Sequence, residues 1–337
     1  MRAAIFKEAG KPVVIEERPD PTPRADEVIM RVGRCGICGT DLHMTSGHGL
    51  FALPGDSMFG HEYAGEVVAL GKDVTRLKIG DRIAAMPAAG CGSCPACAAG
   101  YPVNCSNGRS TVSGFAEYLA AAESVAVKLP ESLSLEDGAL VEPLAVGLHG
   151  VALAALPPGA RVLVLGAGSV GLAAIFWARQ MGAGRITAAS PSPRRAELAR
   201  TMGADGFETL GEGEQERIAE SLGGAPDVVF ECAGAVGATA KSLELVATGG
   251  TVISLGFCAS PDPIVPAFVT LKQATIKFSL VYTYGEYRHC VDVLDRGHVE
   301  PRAMISDTVS LDDFPATLEA LRNGSPQTKV QVDPWMR

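Results

Sequence analysis

The chain has 337 residues, of which 47% are hydrophobic and 20% charged, and its net charge is −9. At ~150 residues per domain this suggests about two domains with sizeable cores and excludes a disordered chain. The acidic balance, with no Lys/Arg-rich block, argues against nucleic acid as a partner.

In chain order, residues 3–6 and 12–16 read as short strands, and Pro19-Asp20-Pro21-Thr22-Pro23 as a turn-rich piece. Residues 27–32 alternate polar and apolar side chains, as a half-buried strand does. No apolar signal-peptide core occupies Met1–Glu8, so a cytoplasmic protein is expected. Residues 33–66 then bring Cys38-Gly39-Thr40-Asp41-Leu42-His43 and Gly60-His61-Glu62. Thiolate and imidazole suit Zn²⁺, and a catalytic zinc takes three protein ligands while keeping one position open. Cys38 and His61 supply two ligands. The third is either Glu62, adjacent to His61, or Glu142, in Val141-Glu142-Pro143-Leu144. Taken alone, a single cysteine is more often a small core residue; the metal reading gains its weight from the rest of the chain.

Residues 63–70 and a turn at Gly80-Asp81 lead into further strands, so this half reads as mostly β, a partly open barrel. Cys91, Cys94, Cys97 and Cys105 follow with the spacing C-x2-C-x2-C-x7-C on a Gly/Pro-rich loop. Four thiolates closing on one Zn²⁺ make a structural site with no open position. Two disulfides are the competing reading; they need an oxidising compartment, to which nothing in the sequence points. Cys35, Cys232, Cys258 and Cys290 read as buried thiols without a role. Residues 115–119 and 125–130 resume the strand pattern, and Ser134, with Asp137 three residues on, caps a helix running towards Glu142.

After the breaker Pro157-Pro158-Gly159, the uncharged run 162–178 approaches the length of a membrane span, but it holds three glycines and reads as strand, turn and helix. Residues 161–165 form the strand, and Gly166-Ala167-Gly168-Ser169-Val170-Gly171 opens the helix. A G-x-G-x-x-G in that context is the dinucleotide fingerprint: glycines let the backbone approach a pyrophosphate, and the helix N-terminus offers N–H groups. The second strand, 185–189, ends at Ser190, where an NAD-binding chain usually carries Asp or Glu for the ribose hydroxyls. Ser192 reads as an N-cap, with Pro193 first in the helix and Arg194 and Arg195 in its first turn. The helix dipole disfavours cations there, and a bound 2′-phosphate would reverse that cost, so NADP(H) is preferred over NAD(H). Further strands and helices through residue 281 complete an α/β, doubly wound parallel sheet. Residues 329–334 read as a last strand returning to the first domain.

Together these elements resemble the zinc-dependent medium-chain dehydrogenase/reductase family, which includes alcohol, sorbitol and threonine dehydrogenases. The order GICGTDLH, GHEYAG, the four-cysteine lobe, VEPLAV and VLVLGAGSVG covers essentially the whole chain. The resemblance implies a GroES-like catalytic domain over residues 1–146 and 283–337, with the cysteine lobe at about 90–106. It implies an inserted Rossmann domain over 147–282. Cys38 and His61 would bind catalytic zinc; Glu142 stands where relatives have a Cys or Glu ligand, and the residue matching Glu62 can coordinate directly. Thr40 matches a relay hydroxyl and His43 a relay imidazole that pass the substrate proton to solvent. Family members are homodimers or homotetramers.

The implied activity is hydride transfer between NADP(H) and a secondary alcohol or ketone. Leu50, Phe51, Met58 and Phe59, if they line the pocket, favour an apolar or cyclic substrate. The alternatives are an NAD-dependent polyol or amino-alcohol dehydrogenase and, in a different class, a non-catalytic NADP(H)-binding sensor or structural protein.

Overall fold

A computed structural model of the chain describes residues 1–47 and 52–337. It divides into two compact units, Met1–Glu142 with Thr283–Arg337, and Pro143–Tyr282. The first division falls inside the helix Leu135–Ala154, at Pro143. The sequence reading drew it at 146/147; no linker composition marks it, because the helix continues through the proline. This helix is the one element among the described residues long and apolar enough to cross a membrane, and it is mostly buried.

In the first unit a seven-stranded sheet is organised around the strand Glu27–Gly36. That strand pairs antiparallel with Glu62–Leu70 along its length and with Tyr118–Ala122 over Glu27–Arg31. Its last residues, Cys35 and Gly36, pair with Val332 and Gln331 of the strand Lys329–Asp333. The C-terminal strand therefore does return to the N-terminal sheet. Register shifts at Ile29/Met30 and Val32/Arg34 bend the central strand, which lets one strand serve three partners. Arg2–Phe6 lies in a separate three-stranded sheet with Val14–Glu17 and Ser57–Met58. The core beneath includes Val28, Met30, Val32, Phe59, Tyr63, Phe115 and Phe314.

Leu135–Ala154 begins as the Ser134 and Asp137 pair suggests. The Asp137 N–H donates to Ser134 Oγ at 3.2 Å, and the Ser134 N–H donates to Asp137 Oδ2 at 2.8 Å, a reciprocal cap. Asp137 is fully buried, and Arg302 grips both of its oxygens at 2.7 and 2.8 Å.

The second unit holds a six-stranded parallel sheet. Its order is Gly206–Thr209, Arg185–Ser190, Arg161–Leu165, Val228–Glu231, Thr251–Ser254, Thr275–Phe278. Numbered along the chain this is 3-2-1-4-5-6, the doubly wound dinucleotide-binding order, whose ligand crevice lies where the first and fourth strands part. Leu163, Leu165, Val229 and Val252 form its centre with Ile218, Leu222 and Leu243 from flanking helices.

Burial raises the Asp137 pKa, but the Arg302 guanidinium and the Ser134 bonds outweigh it and hold the carboxyl below the usual range. A carboxyl lowered in the folded state contributes stability above its unfolded pKa and loses it as pH falls through the folded value. Arg302→Met is expected to destabilise the protein by ~1–3 kcal/mol at pH 7, less than a fully buried pair because Arg302 is half exposed. The variant should also lose less stability than the parent between pH 7 and pH 4. Urea unfolding at both pH values checks this; an unchanged midpoint at pH 7 would contradict it.

Candidate active site

Gly36 faces Glu62 across the central strand pair, so the chain two residues after Gly36 and the residue before Glu62 meet at the sheet's end. Those positions are Cys38 and His61. The potential ligand atoms of Cys38, His61 and Glu62 all lie within 4.8 Å of one another. Glu142 is buried but is not in that group, so of the two carboxylates the geometry brings Glu62 to the cysteine and histidine.

Cys38 is the N-cap of the helix Gly39–Thr45, with the Thr40 N–H 3.5 Å from its sulfur. Asp41 completes the cap by accepting the Cys38 N–H at 2.9 Å through Oδ2. Its other oxygen, Oδ1, lies 3.4 Å from His61 Nδ1 and has no hydrogen-bond partner, although Asp41 is fully buried. Nδ1 thus faces Asp41 and leaves Nε2 for a metal. A carboxylate behind a ligating imidazole fixes its tautomer and strengthens it as a donor. Burial lowers the His61 pKa, but Asp41 and Cys38 outweigh that and raise it well above the ordinary imidazole value. Without a metal, the position therefore attracts a proton. A thiolate, an imidazole backed by a carboxylate, and a second carboxylate form a donor set that fits zinc. Asp41 carries no early signal of this role beyond its capping position; the sequence reading missed it.

Glu62 is buried, and Lys329 beside it is equally buried. The Lys329 Nζ lies 2.7 and 2.6 Å from the two Glu62 oxygens and 3.0 Å from the Ile37 carbonyl. Burial lowers the Lys329 pKa; Glu62 and Cys38 more than offset this, and the ammonium is held above its ordinary range. Lys329 also escaped the sequence reading, because its partner is 267 residues away. A Cβ at Gly36 would come within 2.0 Å of Glu62 Oε2, so only glycine leaves room for this carboxylate.

Thr40 and His43 are three apart on Gly39–Thr45 and both are exposed, so they share one helix face. Arg322 pins this helix by donating to the Leu42 carbonyl at 2.6 Å and to Thr45 Oγ1 at 2.8 Å. The expected pocket wall is corrected in part. Phe59 is fully buried against Phe115 and Phe314, with centroids 5.1 and 5.9 Å away. Met58 packs on Ala3, Ile5 and Ala116. Phe59 is therefore core and forms no pocket wall, whereas Met58 is only partly buried. Leu50 and Phe51 lie outside the described residues.

The cysteine lobe gathers Cys91, Cys94, Cys97 and Cys105 with all sulfurs within 4.8 Å. Cys94 is 3.5 Å from Cys97 and 3.7 Å from Cys105, near the ~3.8 Å edge of a tetrahedron with Zn–S of ~2.3 Å. All four are free thiols. The N–H groups of Ser93 and Cys94 draw the Cys91 thiol down to about 6. Cys97 receives a lowering bond from Gly92, yet burial and its thiol neighbours push it up to about 11. Crowded thiols with opposed shifts fit a site completed by a cation. A Cβ at Gly90 would lie 2.3 Å from the Cys97 sulfur, so glycine is needed there too. Of the remaining cysteines, Cys35 and Cys290 are buried as expected, whereas Cys232 and Cys258 are partly exposed.

In the second unit, Gly166 turns at φ +95°, and a Cβ on Gly171 would sit 1.9 Å from the Gly166 carbonyl. Gly168, the cap of Ser169–Gln180, has open space where its Cβ would point. Two glycines thus serve the turn and the packing, and the third leaves room for a ligand beside Ser169 and Val170. Past Ser190, the segment Pro193–Arg195 is a 3-10 turn, followed by the helix Ala196–Thr201. Ser192 does not cap it as expected; its hydroxyl accepts from Arg194 Nε at 3.2 Å instead. Arg195 donates towards the Ala167 carbonyl of the glycine loop at 3.4 Å. Burial, and then Arg194, lower the Arg195 pKa. Among the described residues Arg194 forms no ion pair, and it is exposed.

Asp41→Asn keeps the shape and removes the charge behind His61. Zinc affinity at the Cys38–His61 position is expected to fall by ~10–100-fold while the cysteine lobe keeps its metal. Chelator competition followed by metal analysis checks this; equal affinity in parent and variant would contradict it.

Comparison with known proteins agrees with this architecture. Residues 24–131 match the alcohol dehydrogenase GroES-like domain, and residues 169–296 match the zinc-binding dehydrogenase domain. The chain is 33% identical to the sorbitol dehydrogenase of Bacillus subtilis, over 99% of this chain and 97% of that protein. It is 31% identical to the D-xylulose reductase of Scheffersomyces stipitis, over 91% of each. A zinc-binding dehydrogenase from Sinorhizobium meliloti, solved bound to NADP, superposes with a TM-score of 0.88 at 32% identity and 99% coverage of each chain. The 2R,3R-butanediol dehydrogenase of Bacillus subtilis gives 0.88 at 28% identity, again over 99% of each. The chain, with its GroES-like and Rossmann domains, belongs to the zinc-dependent medium-chain dehydrogenase/reductase family and is an alcohol dehydrogenase of that family.

Proposed function

We propose that this enzyme transfers a hydride between NADP(H) and a secondary alcohol or its ketone. The observation that carries the cofactor choice is the pair Arg194 and Arg195 beyond a second strand that ends in Ser190. The similarity to a relative solved with NADP supports it. Gly166, Gly168, Ser169, Val170 and Gly171 would receive the pyrophosphate, and Ser190, Ser192, Arg194 and Arg195 the ribose phosphate.

Cys38, His61 and a carboxylate would hold the catalytic zinc; the cluster geometry favours Glu62 over Glu142. Cys91, Cys94, Cys97 and Cys105 would hold a structural zinc. When bound, the catalytic metal polarises the substrate oxygen and eases loss of its proton near neutral pH. The Thr40 hydroxyl would take that proton and His43 would hand it to solvent, consistent with their shared, exposed helix face. Asp41 keeps His61 oriented throughout. Phe59 belongs to the core and lends no support to an apolar or cyclic preference, so the substrate is assigned as a secondary alcohol or ketone.

A second reading, an NAD-dependent polyol dehydrogenase, is favoured by relatives named sorbitol dehydrogenase and D-xylulose reductase. A non-catalytic sensor fits poorly with Cys38, His61 and Glu62 gathered at one point. Among the described residues the outer strand Thr275–Phe278 is paired on one side only, and Phe278 is exposed. This supports a homodimer or homotetramer. Nine free thiols support a reducing, cytoplasmic setting.

Fluorescence titration with NADPH and NADH tests the cofactor choice without a substrate. NADPH should bind more tightly. Arg194→Ala with Arg195→Ala should weaken NADPH by ~30-fold or more, since each charged hydrogen bond is worth ~1.5–3 kcal/mol, and leave NADH nearly unchanged. Tighter NADH binding by the parent would move the assignment to the polyol reading.

A further inference from the structure

Glu231 belongs to neither the glycine loop nor the arginine turn, yet it is nearly fully buried where the crevice of the parallel sheet opens. It ends the fourth strand and pairs with Leu165, the last residue of the first. The next residue, Cys232, donates its N–H to the Leu165 carbonyl at 2.8 Å, and a Cβ on Gly166 would lie 2.9 Å from the Ala233 nitrogen. The segment after the fourth strand is therefore packed against the glycine turn. There it folds back on Glu231: the Ala233 and Gly234 N–H groups donate to Oε1 at 2.7 and 2.8 Å.

The segment after the fifth strand is drawn to the same residue. The Leu255 and Gly256 N–H groups donate to the Glu231 backbone carbonyl at 2.7 and 2.8 Å, and Ser254 Oγ donates to Oε2 at 3.4 Å. A Cβ on Gly256 would come within 2.2 Å of the Gly234 nitrogen and 2.6 Å of Oε2, so the two segments touch over the carboxyl group. Asp262, further along the second segment, reaches back to the first. It accepts the Gly237 N–H at 2.6 Å and the Thr239 N–H at 3.1 Å, at the start of the helix Ala238–Leu245. Two carboxyl groups thus fasten the segments to each other at both ends.

Each half of a doubly wound sheet holds one mononucleotide, and the ribose beside the second strand is that of the adenosine half. The segments after the fourth and fifth strands are left with the nicotinamide half. We propose that Glu231 and Asp262 are positioning residues for that half of the cofactor. Neither touches a reacting atom; they hold two loops in one arrangement before the cofactor arrives. Without these acceptors the freed N–H groups find other partners and the loops leave that arrangement. The cofactor then binds only the fraction of molecules with the loops in place, and its affinity falls by that fraction. The inference rests on the dinucleotide site assigned above to Gly166, Gly168 and Gly171, and not on the choice between NADP(H) and NAD(H).

The test uses the whole chain and whichever of NADPH and NADH the parent binds more tightly. Each protein is titrated by calorimetry with that dinucleotide and, separately, with its adenosine half alone, 2′,5′-ADP for NADPH or 5′-AMP for NADH. Glu231→Ala should weaken the dinucleotide ~10-fold or more and the adenosine half less than ~2-fold. Glu231→Gln, whose side-chain oxygen can accept the same two N–H groups, should stay within ~3-fold of the parent for both. Asp262→Ala should weaken the dinucleotide ~3-fold or more and spare the adenosine half.

A merely structural residue would weaken both ligands alike or neither, so either of those results for Glu231→Ala overturns the proposal. Equal losses in Glu231→Gln and Glu231→Ala overturn it as well. If Glu231→Ala does not fold, Asp262→Ala decides: a loss confined to the dinucleotide supports the proposal, and unchanged dinucleotide affinity overturns it. A parent that binds neither the dinucleotide nor its adenosine half would instead remove the dinucleotide-site assignment, and the positioning role with it.

Discussion

A carboxylate with almost no exposure to water must be neutralised where it stands, and in this protein that requirement falls on Glu62. The strands around it are arranged to meet the need. Glu27–Gly36 sets Gly36 opposite Glu62 on one side and opposite Gln331 on the other, so the C-terminal strand delivers Lys329 to the carboxylate. The same register places Cys38 just beyond one strand end and His61 just before the other. Asp41, one turn into the next helix, caps Cys38 with one oxygen and faces His61 with the other. A displacement of any of the three strands would separate the sulfur, the imidazole and the carboxylate together. The proposed metal position is therefore a property of the sheet rather than of a loop, which is the arrangement that holds ligands closely.

The nucleotide-binding half follows a different logic. Its site is built from backbone and from the end of a parallel sheet, and its glycines divide between making the turn, packing the helix and leaving space for the ligand. The proposed cofactor specificity lies further out. Ser190 ends the second strand without an acidic group, and Arg194 and Arg195 follow it in a single 3-10 turn. Arg195 also reaches the carbonyl of Ala167, so the arginine turn and the glycine loop are fastened to each other.

Much of this was legible in the sequence, and the reasons are local. The cysteine spacing, the strand–glycine–helix fingerprint and the Ser134–Asp137 cap each act within about fifteen residues, where chain geometry limits the outcomes. Cys38 and His61 were legible as candidate donors by residue type, and the structure brings them together with Glu62. What escaped depends on contacts across the chain. Lys329 and Glu62 meet only after the last strand pairs with the first sheet, and nothing around Lys329 distinguishes it from a surface lysine. Asp41 looks like a capping residue because it is one; its second oxygen acquires a role only when His61 arrives. Met58 and Phe59, next to the metal motif in sequence, were expected at a pocket wall. Aromatic packing turns Phe59 inward, since adjacency along the chain does not decide which face a side chain takes. The boundary at Pro143 was displaced because a helix can carry a proline past a domain division without any change in composition.

The central claim is that one chain holds two metal centres of different chemistry, four thiolates in the lobe and a thiolate, an imidazole and a carboxylate at the end of the central strand. X-ray absorption at the zinc edge on purified protein, combined with metal analysis, tests it most directly. The account predicts about two zinc ions per chain, with one all-sulfur shell and one shell holding a single sulfur, which averages to about 2.5 sulfur ligands per zinc. One zinc per chain with four sulfur ligands would contradict it, since Cys38, His61 and Glu62 would then hold no metal.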